Sequence, residues 1–185
     1  MDDLAFLDVR NWLNIIQPPL VSFEDAPAID LTIDGADEVD PQMNLIKGGG
    51  GALLREKLVA RASAREVIIV DQSKLSPRLG TLFALPVEVI PGSEETETDF
   101  LRSLGADVSR RGGDKPFVTD SGNHILDCRW SGIEDAGELA KTLASRTSIA
   151  DHGLFLGLTS DLVVAGDRGV RHFVSGDDWT EVYPT

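Results

Sequence analysis

Residues 66–71, Glu-Val-Ile-Ile-Val-Asp, set four β-branched apolar side chains in an unbroken row. A strand with one wet face would alternate, whereas a continuous run of this length suits a central parallel strand covered on both faces. Parallel strands need a long crossover. Gly51 to about Ala64 reads as the helix of one, with Leu54, Leu58 and Ala62 recurring at helical spacing. Ahead of it, Pro19 to Asp34 reads as two short strands separated by a turn. The better of them, Leu31–Ile33, ends at Asp34-Gly35. Strand, helix and strand form a βαβ unit, whose crossover is right-handed.

Beyond Lys74 the texture changes. Residues 85–92 read as a strand, and residues 93–105 as a helix capped by Ser93 and stopped by Gly105. A strand over 106–111 and a glycine-containing loop over 111–116 follow. Residues 117–130 read as a hairpin around Ser121-Gly122-Asn123. A helix over 133–145 and a last strand over 148–157 complete the order βαββαβ. That order predicts a split-βαβ, ferredoxin-like unit from about Leu85 to Phe155. Residues 161–173 give two more strands around a Gly-Asp-Arg-Gly turn, which return to the first sheet.

Bulk properties narrow the function. With 185 residues, 42% of them hydrophobic and 26% charged, the chain can bury a core. A formal net charge of −14 argues against nonspecific binding to nucleic acid or to an anionic membrane face. No apolar run approaches the ~20 residues of a membrane span. The opening Met-Asp-Asp-Leu-Ala-Phe-Leu-Asp-Val-Arg lacks the basic start of a secretory signal. The lone cysteine, Cys128, reads as a small buried hydrophobe in a reducing compartment. His124, His152 and His172 are scattered without metal-ligand spacing.

The chemistry concentrates between Ile33 and Lys57. Ligands of open α/β sheets bind beyond the carboxyl ends of strands. Asp34, Asp37 and Glu38 follow one strand, and Asp71 and Lys74 follow the next, so they share such an end. The run Gly48–Gly51 opens a helix with unpaired backbone N–H groups and lets a ligand approach closely. Lys47 brings a cation to its rim, and Glu56 sits on the first turns of the helix. Carboxylates accept from sugar hydroxyls, amides and lysines hold anionic oxygens, and one carboxylate could move a proton between neighbouring carbons. Plainer readings stand beside these. Asp40 reads as part of a solvated turn, Glu56 between Arg55 and Lys57 has the pattern of a surface residue, and four glycines alone are weak support for a ligand loop. The lysine precedes the glycines, so this is not a Walker loop, and Ala36 occupies the third position of the EF-hand template, where an oxygen ligand is required.

Residues 34–40 (Asp-Gly-Ala-Asp-Glu-Val-Asp), 47–57 (Lys-Gly-Gly-Gly-Gly-Ala-Leu-Leu-Arg-Glu-Lys) and 70–74 (Val-Asp-Gln-Ser-Lys) closely resemble ribose-5-phosphate isomerase, type A. Residues 85–91, 118–127 and 152–157 resemble later segments of that family, and the likeness runs from about Pro19 to Phe173. The resemblance implies an α/β fold: a partial, Rossmann-like three-layer sheet domain over 1–84 and 156–185, with a ferredoxin-like split-βαβ domain over 85–155 that contributes to oligomer contacts, as in a homodimer. It implies a cytoplasmic enzyme of the non-oxidative pentose phosphate pathway that acts on a small sugar phosphate, with no metal, cofactor, nucleic-acid or membrane partner. Glu56 would be the base that moves a proton between C2 and C1 through a cis-enediol. Asp34, Asp37 and Lys47, with Gly35, Gly48, Gly49 and Gly50, would bind the sugar and its enediolate oxygens. Lys74 would be a further substrate or phosphate contact.

Family members open with a strand, a Gly-Thr-Gly-Ser-Thr-like phosphate loop and a helix. Residues 1–17 contain no glycine, serine or threonine. The expectation is therefore a truncated chain lacking its main phosphate cradle, with one sheet edge uncovered, little isomerase activity and a tendency to self-associate. The alternative function is a catalytically silent sugar-phosphate-binding or interaction protein.

Overall fold

The structure, a computed structural model, describes residues 28–176. The strands begin with β1 (Thr32–Asp34), β2 (Glu38–Val39), β3 (Leu45–Ile46), β4 (Glu66–Asp71), β5 (Leu85–Val89) and β6 (Asp107–Arg110). They continue with β7 (His124–Arg129), β8 (Ile149–His152), β9 (Leu154–Phe155), β10 (Asp161–Gly166) and β11 (Gly169–Val174). The α-helices are α1 (Leu53–Ala62), α2 (Glu94–Ser103) and α3 (Ala136–Ala144). The upstream strand expected after Pro19, and the glycine-free stretch 1–17, lie outside the described residues.

The apolar run becomes β4, held in parallel between β1 and β10, with β11 antiparallel beside β10. β-Branched side chains fit such a pleated surface. The expectation that both its faces are covered does not hold among the described residues. Ile68 and Val70 are buried, but Ile69 is 49% exposed. Ile33, whose partner on β4 is Val67, is 62% exposed on the same face.

A second sheet has the order β6-β7-β5-β8, with every neighbouring pair antiparallel. This is the topology of the expected split βαβ. The end of α2 is set by Gly105, whose φ of 85° lets the Ala106 N–H turn back to the Leu101 carbonyl. Ser93 precedes α2, but its hydroxyl donates to the Ile90 carbonyl and does not cap the helix. The turn at Ser121-Gly122-Asn123 forms, yet the first arm of the expected hairpin reduces to one bridge, Val118 to His124. The reason is competition: both edges of β7 are already taken by β5 and β6.

The small sheet β2-β3-β9 joins the two larger ones. Successive residues on a strand face opposite ways. Leu45 and Phe155 accordingly enter the core under β4, and Ile46 and Leu154 enter the core under β5. The single strand expected over 148–157 breaks at Gly153 to make this switch. A side chain there would overlap the Lys47 carbonyl, so the two strands close on bare backbone.

Helix α1 is shorter than predicted and packs through a different face. Its buried residues are Leu53, Lys57 and Ala60, while Leu58 is 53% exposed. Lys57 can turn inward because its ammonium donates to Asp151 Oδ1 at 2.5 Å and to the His152 carbonyl.

Candidate active site

Asp34 ends β1, and its Oδ1 accepts the Gly35 N–H at 2.8 Å. Lys47 follows β3, with its backbone N–H fixed on the Gly153 carbonyl. Its ammonium lies 2.8 Å from Asp34 Oδ2, donates to the Gly35 carbonyl at 2.5 Å, and stands 3.4 Å from Glu56 Oε2. The Phe155 ring lies beneath it, 5.6 Å away. Asp37 Oδ2 accepts the Gly49 N–H at 2.7 Å. Asp34, Gly35, Asp37, Lys47, Gly48, Gly49, Gly50 and Glu56, with Ala36, line one cavity of about 220 Å³. Eight residues singled out from the sequence thus meet in one place.

Burial is the first cause that raises the Glu56 carboxyl above its ordinary range. Lys47 opposes the rise, and Asp34 and Asp37 add to it. Its buried Oε2 has no hydrogen-bond partner among the described residues, only the longer ion pair with Lys47. A carboxylate that is partly desolvated and only loosely paired is a stronger base than one in water.

Lys74 is the exception. It closes a short 3-10 turn, Gln72–Lys74, after β4 and does not line this cavity. The glycine run also differs from expectation, because two of its N–H groups are engaged: Gly49 donates to Asp37, and Gly51 to the Gly48 carbonyl. Glu38 points away from the cavity and accepts the N–H groups of Gly80, Thr81, Leu82 and Phe83. Asp40 is not solvated. It is 7% exposed and binds the backbone N–H groups of Gln42 and Asn44 inside its own turn. Cys128 is fully buried, and burial pushes its thiol up, in keeping with a packing role.

Sequence reasoning missed Arg111. Its Nη1 donates to the carbonyls of Gly48 at 2.9 Å and Gly49 at 3.1 Å, and its Nε donates to Asp127 Oδ2 at 2.9 Å. Its partners are 62 and 63 residues away, so no local pattern marks it.

Together these features define an α/β protein with an acid, lysine and glycine-loop site beyond the end of a parallel strand, rich in groups that can hydrogen-bond hydroxyls. The chain belongs to the family described as ribose 5-phosphate isomerase A (phosphoriboisomerase A), whose sequence model matches residues 8–169. It is 56% identical over 155 residues to ribose-5-phosphate isomerase A of Desulfatibacillum aliphaticivorans, covering 83% of this chain and 67% of that one. A solved ribose 5-phosphate isomerase from Plasmodium falciparum superposes with a TM-score of 0.85 at 34% identity, covering 92% of this chain and 76% of that one. A D-ribose-5-phosphate isomerase solved in complex with phospho-erythronic acid superposes with a TM-score of 0.84 at 33% identity, covering 89% and 73%. No helix among the described residues is long and apolar enough to cross a membrane.

Proposed function

We propose that Glu56 is the proton-transferring base of an aldose–ketose isomerisation, assisted by Lys47, Asp34, Asp37 and the glycine loop. Family membership makes the chain an isomerase that interconverts D-ribose 5-phosphate and D-ribulose 5-phosphate. The observation that carries the residue roles is the sharing of one buried ammonium, Lys47, between Asp34 and Glu56 at the edge of the cavity.

The Glu56 carboxylate takes the proton from C2 of the open-chain aldose. The electron pair moves through the new C1–C2 double bond onto O1, giving an enediolate. The O2 proton passes to O1, and C1 takes the proton back from Glu56 as the C2 carbonyl forms. Lys47 faces the developing oxyanion, where a fixed cation in a partly dry site is most effective. As its ammonium turns toward the substrate, Glu56 loses a counter-charge that had been holding its basicity down. Asp34 and Asp37 accept from the sugar hydroxyls. Gly35 and Gly48–Gly50 leave the cavity wall without side chains. Lys74, outside this cavity, is the further contact for the phosphate.

The reading extends to the whole molecule. Residues 28–84 and 156–176 read as the catalytic domain, and residues 85–155 as a second domain that supports it. No metal or cofactor takes part. The apolar side chains exposed on one sheet face, Ile33 and Ile69, support association of copies as a homodimer. A cytoplasmic setting fits the single buried thiol. The silent-binder alternative and the expectation of little activity both rest on residues 1–17, outside the described residues, and no observation among the described residues favours them. A coupled assay for ribulose 5-phosphate formed from ribose 5-phosphate tests the activity, and a purified chain with no turnover contradicts it.

A further inference from the structure

The glycine loop is held from behind by a residue of the second sheet. Arg111 lies just past β6, and Asp127 on β7 holds one edge of its guanidinium in a bidentate contact through Nε and Nη2. The remaining nitrogen, Nη1, donates to two successive loop carbonyls, those of Gly48 and Gly49. Phe117 flanks the guanidinium, with its ring 5.9 Å away, and occupies the space that a side chain on Gly51 would need. The Arg111 side chain is 17% exposed and the Asp127 side chain 23% exposed, so the pair is largely shielded.

Peptide geometry turns this clamp into an orienting device. In a trans peptide the C=O and the next N–H lie in one plane and point in opposite directions. None of the described peptides is cis. Drawing the Gly48 carbonyl toward Arg111 therefore turns the Gly49 N–H away from it, and that N–H does reach Asp37 across the cavity. The same relation applied to the Gly49 carbonyl turns the Gly50 N–H to the cavity side. A glycine pair has no preferred conformation of its own, so these directions must be imposed from outside.

We propose that Arg111, fixed by Asp127, is a positioning residue that turns the Gly49 amide onto Asp37 and aims the Gly50 amide into the Lys47–Glu56 cavity, where the Gly50 N–H receives the oxyanion formed during isomerisation. This rests on the isomerase reading of the site. Arg111 reaches the chemistry only through the loop. Lysine cannot replace it, because one ammonium lacks the planar fork needed to hold Asp127 and both carbonyls at once.

The test compares the parent chain with Arg111→Met, Arg111→Lys and Asp127→Asn. The first readout is steady-state kinetics at a temperature where circular dichroism shows each variant folded. A misaimed oxyanion donor should lower kcat by about 10–100-fold, with KM changed less than about threefold, and Arg111→Lys should not restore it. The second readout needs no activity: amide hydrogen exchange over residues 47–57 should quicken by about tenfold or more in each variant, while exchange in α2 stays as in the parent. A parent chain without turnover would overturn the isomerase reading, and the exchange readout would still decide the clamp. Loop exchange unchanged in Arg111→Met and Asp127→Asn, or kcat within about twofold of the parent, overturns the proposal. If Arg111→Met fails to fold, Arg111→Lys and Asp127→Asn carry the same criteria.

Discussion

Lys47 and Glu56 meet at 3.4 Å, ammonium nitrogen to carboxylate Oε2, with side chains only 4% and 27% exposed. The contact is too long for a strong hydrogen bond but close enough for the ammonium to hold down the basicity of the Glu56 carboxylate. It makes the pair adjustable: anything that draws Lys47 aside changes the proton affinity of Glu56.

The pH dependence follows from that coupling. In the proposed role Glu56 must be ionised to take a proton, so kcat/KM should fall as pH drops through its raised value, above the ordinary carboxylate range. Lys47 lowers that value and Asp34 raises it. Lys47→Met should therefore move the titration of the Glu56 carboxyl to higher pH, and Asp34→Asn should move it lower. A carbon-13 NMR titration of the side-chain carboxyl reads both shifts without needing turnover. Shifts of the same sign in the two variants would refute the coupling.

Glu38 predicts a stability effect separate from catalysis. Its fully buried carboxylate gathers four backbone N–H groups from residues 80–83. Glu38→Gln keeps the shape but turns an amide group toward those donors. It should cost about 1–3 kcal/mol, read as a fall in the urea midpoint, with little change in the activity of the folded fraction. An unchanged midpoint would contradict this.

The contrast between Glu38 and Asp34 marks what the sequence makes legible. The four β-branched residues of β4 and the turn glycines of the second sheet announce themselves, because strand and turn formation depend on neighbours in sequence. So does the clustering of acids, lysine and glycines at a strand end. The destination of each acid does not. Asp34 and Asp37 reach the cavity, Glu38 serves a loop 42–45 residues on, and Asp40 caps its own turn. The packed face of α1 departs from its apolar spacing for the same reason: Lys57 is buried because Asp151 lies 94 residues ahead. Arg111 is the extreme case, since its meaning lies wholly in backbone carbonyls of another element.

Gly51 is fixed by two separate constraints. Its φ is 88°, a region that costs an L-residue about 1–2 kcal/mol, and a side chain there would overlap the Phe117 ring. Gly51→Ala should lower both stability and kcat. Adding Phe117→Leu should relieve the overlap but not the backbone strain, so the double variant recovers only part of the loss in a thermal-melt cycle. Full recovery, or none, would contradict this division.

Chelation should leave the activity intact. The Asp34 carboxylate already has its cation, the Lys47 ammonium at 2.8 Å, and Asp37 is engaged by the Gly49 amide. Exhaustive dialysis against a strong chelator should change kcat/KM by no more than assay error. Loss of activity restored by one divalent ion would show that these acids hold a metal.

The central claim is that the Glu56 carboxylate moves the proton. Its most direct test is the turnover of ribose 5-phosphate by Glu56→Gln, with binding of ribose 5-phosphate measured on the same sample. The amide keeps the size of the side chain and removes its proton affinity. Turnover should fall by about 10²–10⁴-fold, while the ligand still binds within a few-fold of the parent. A Glu56→Gln chain that retains more than about half the parent's activity, against that general-base expectation, would contradict the claim.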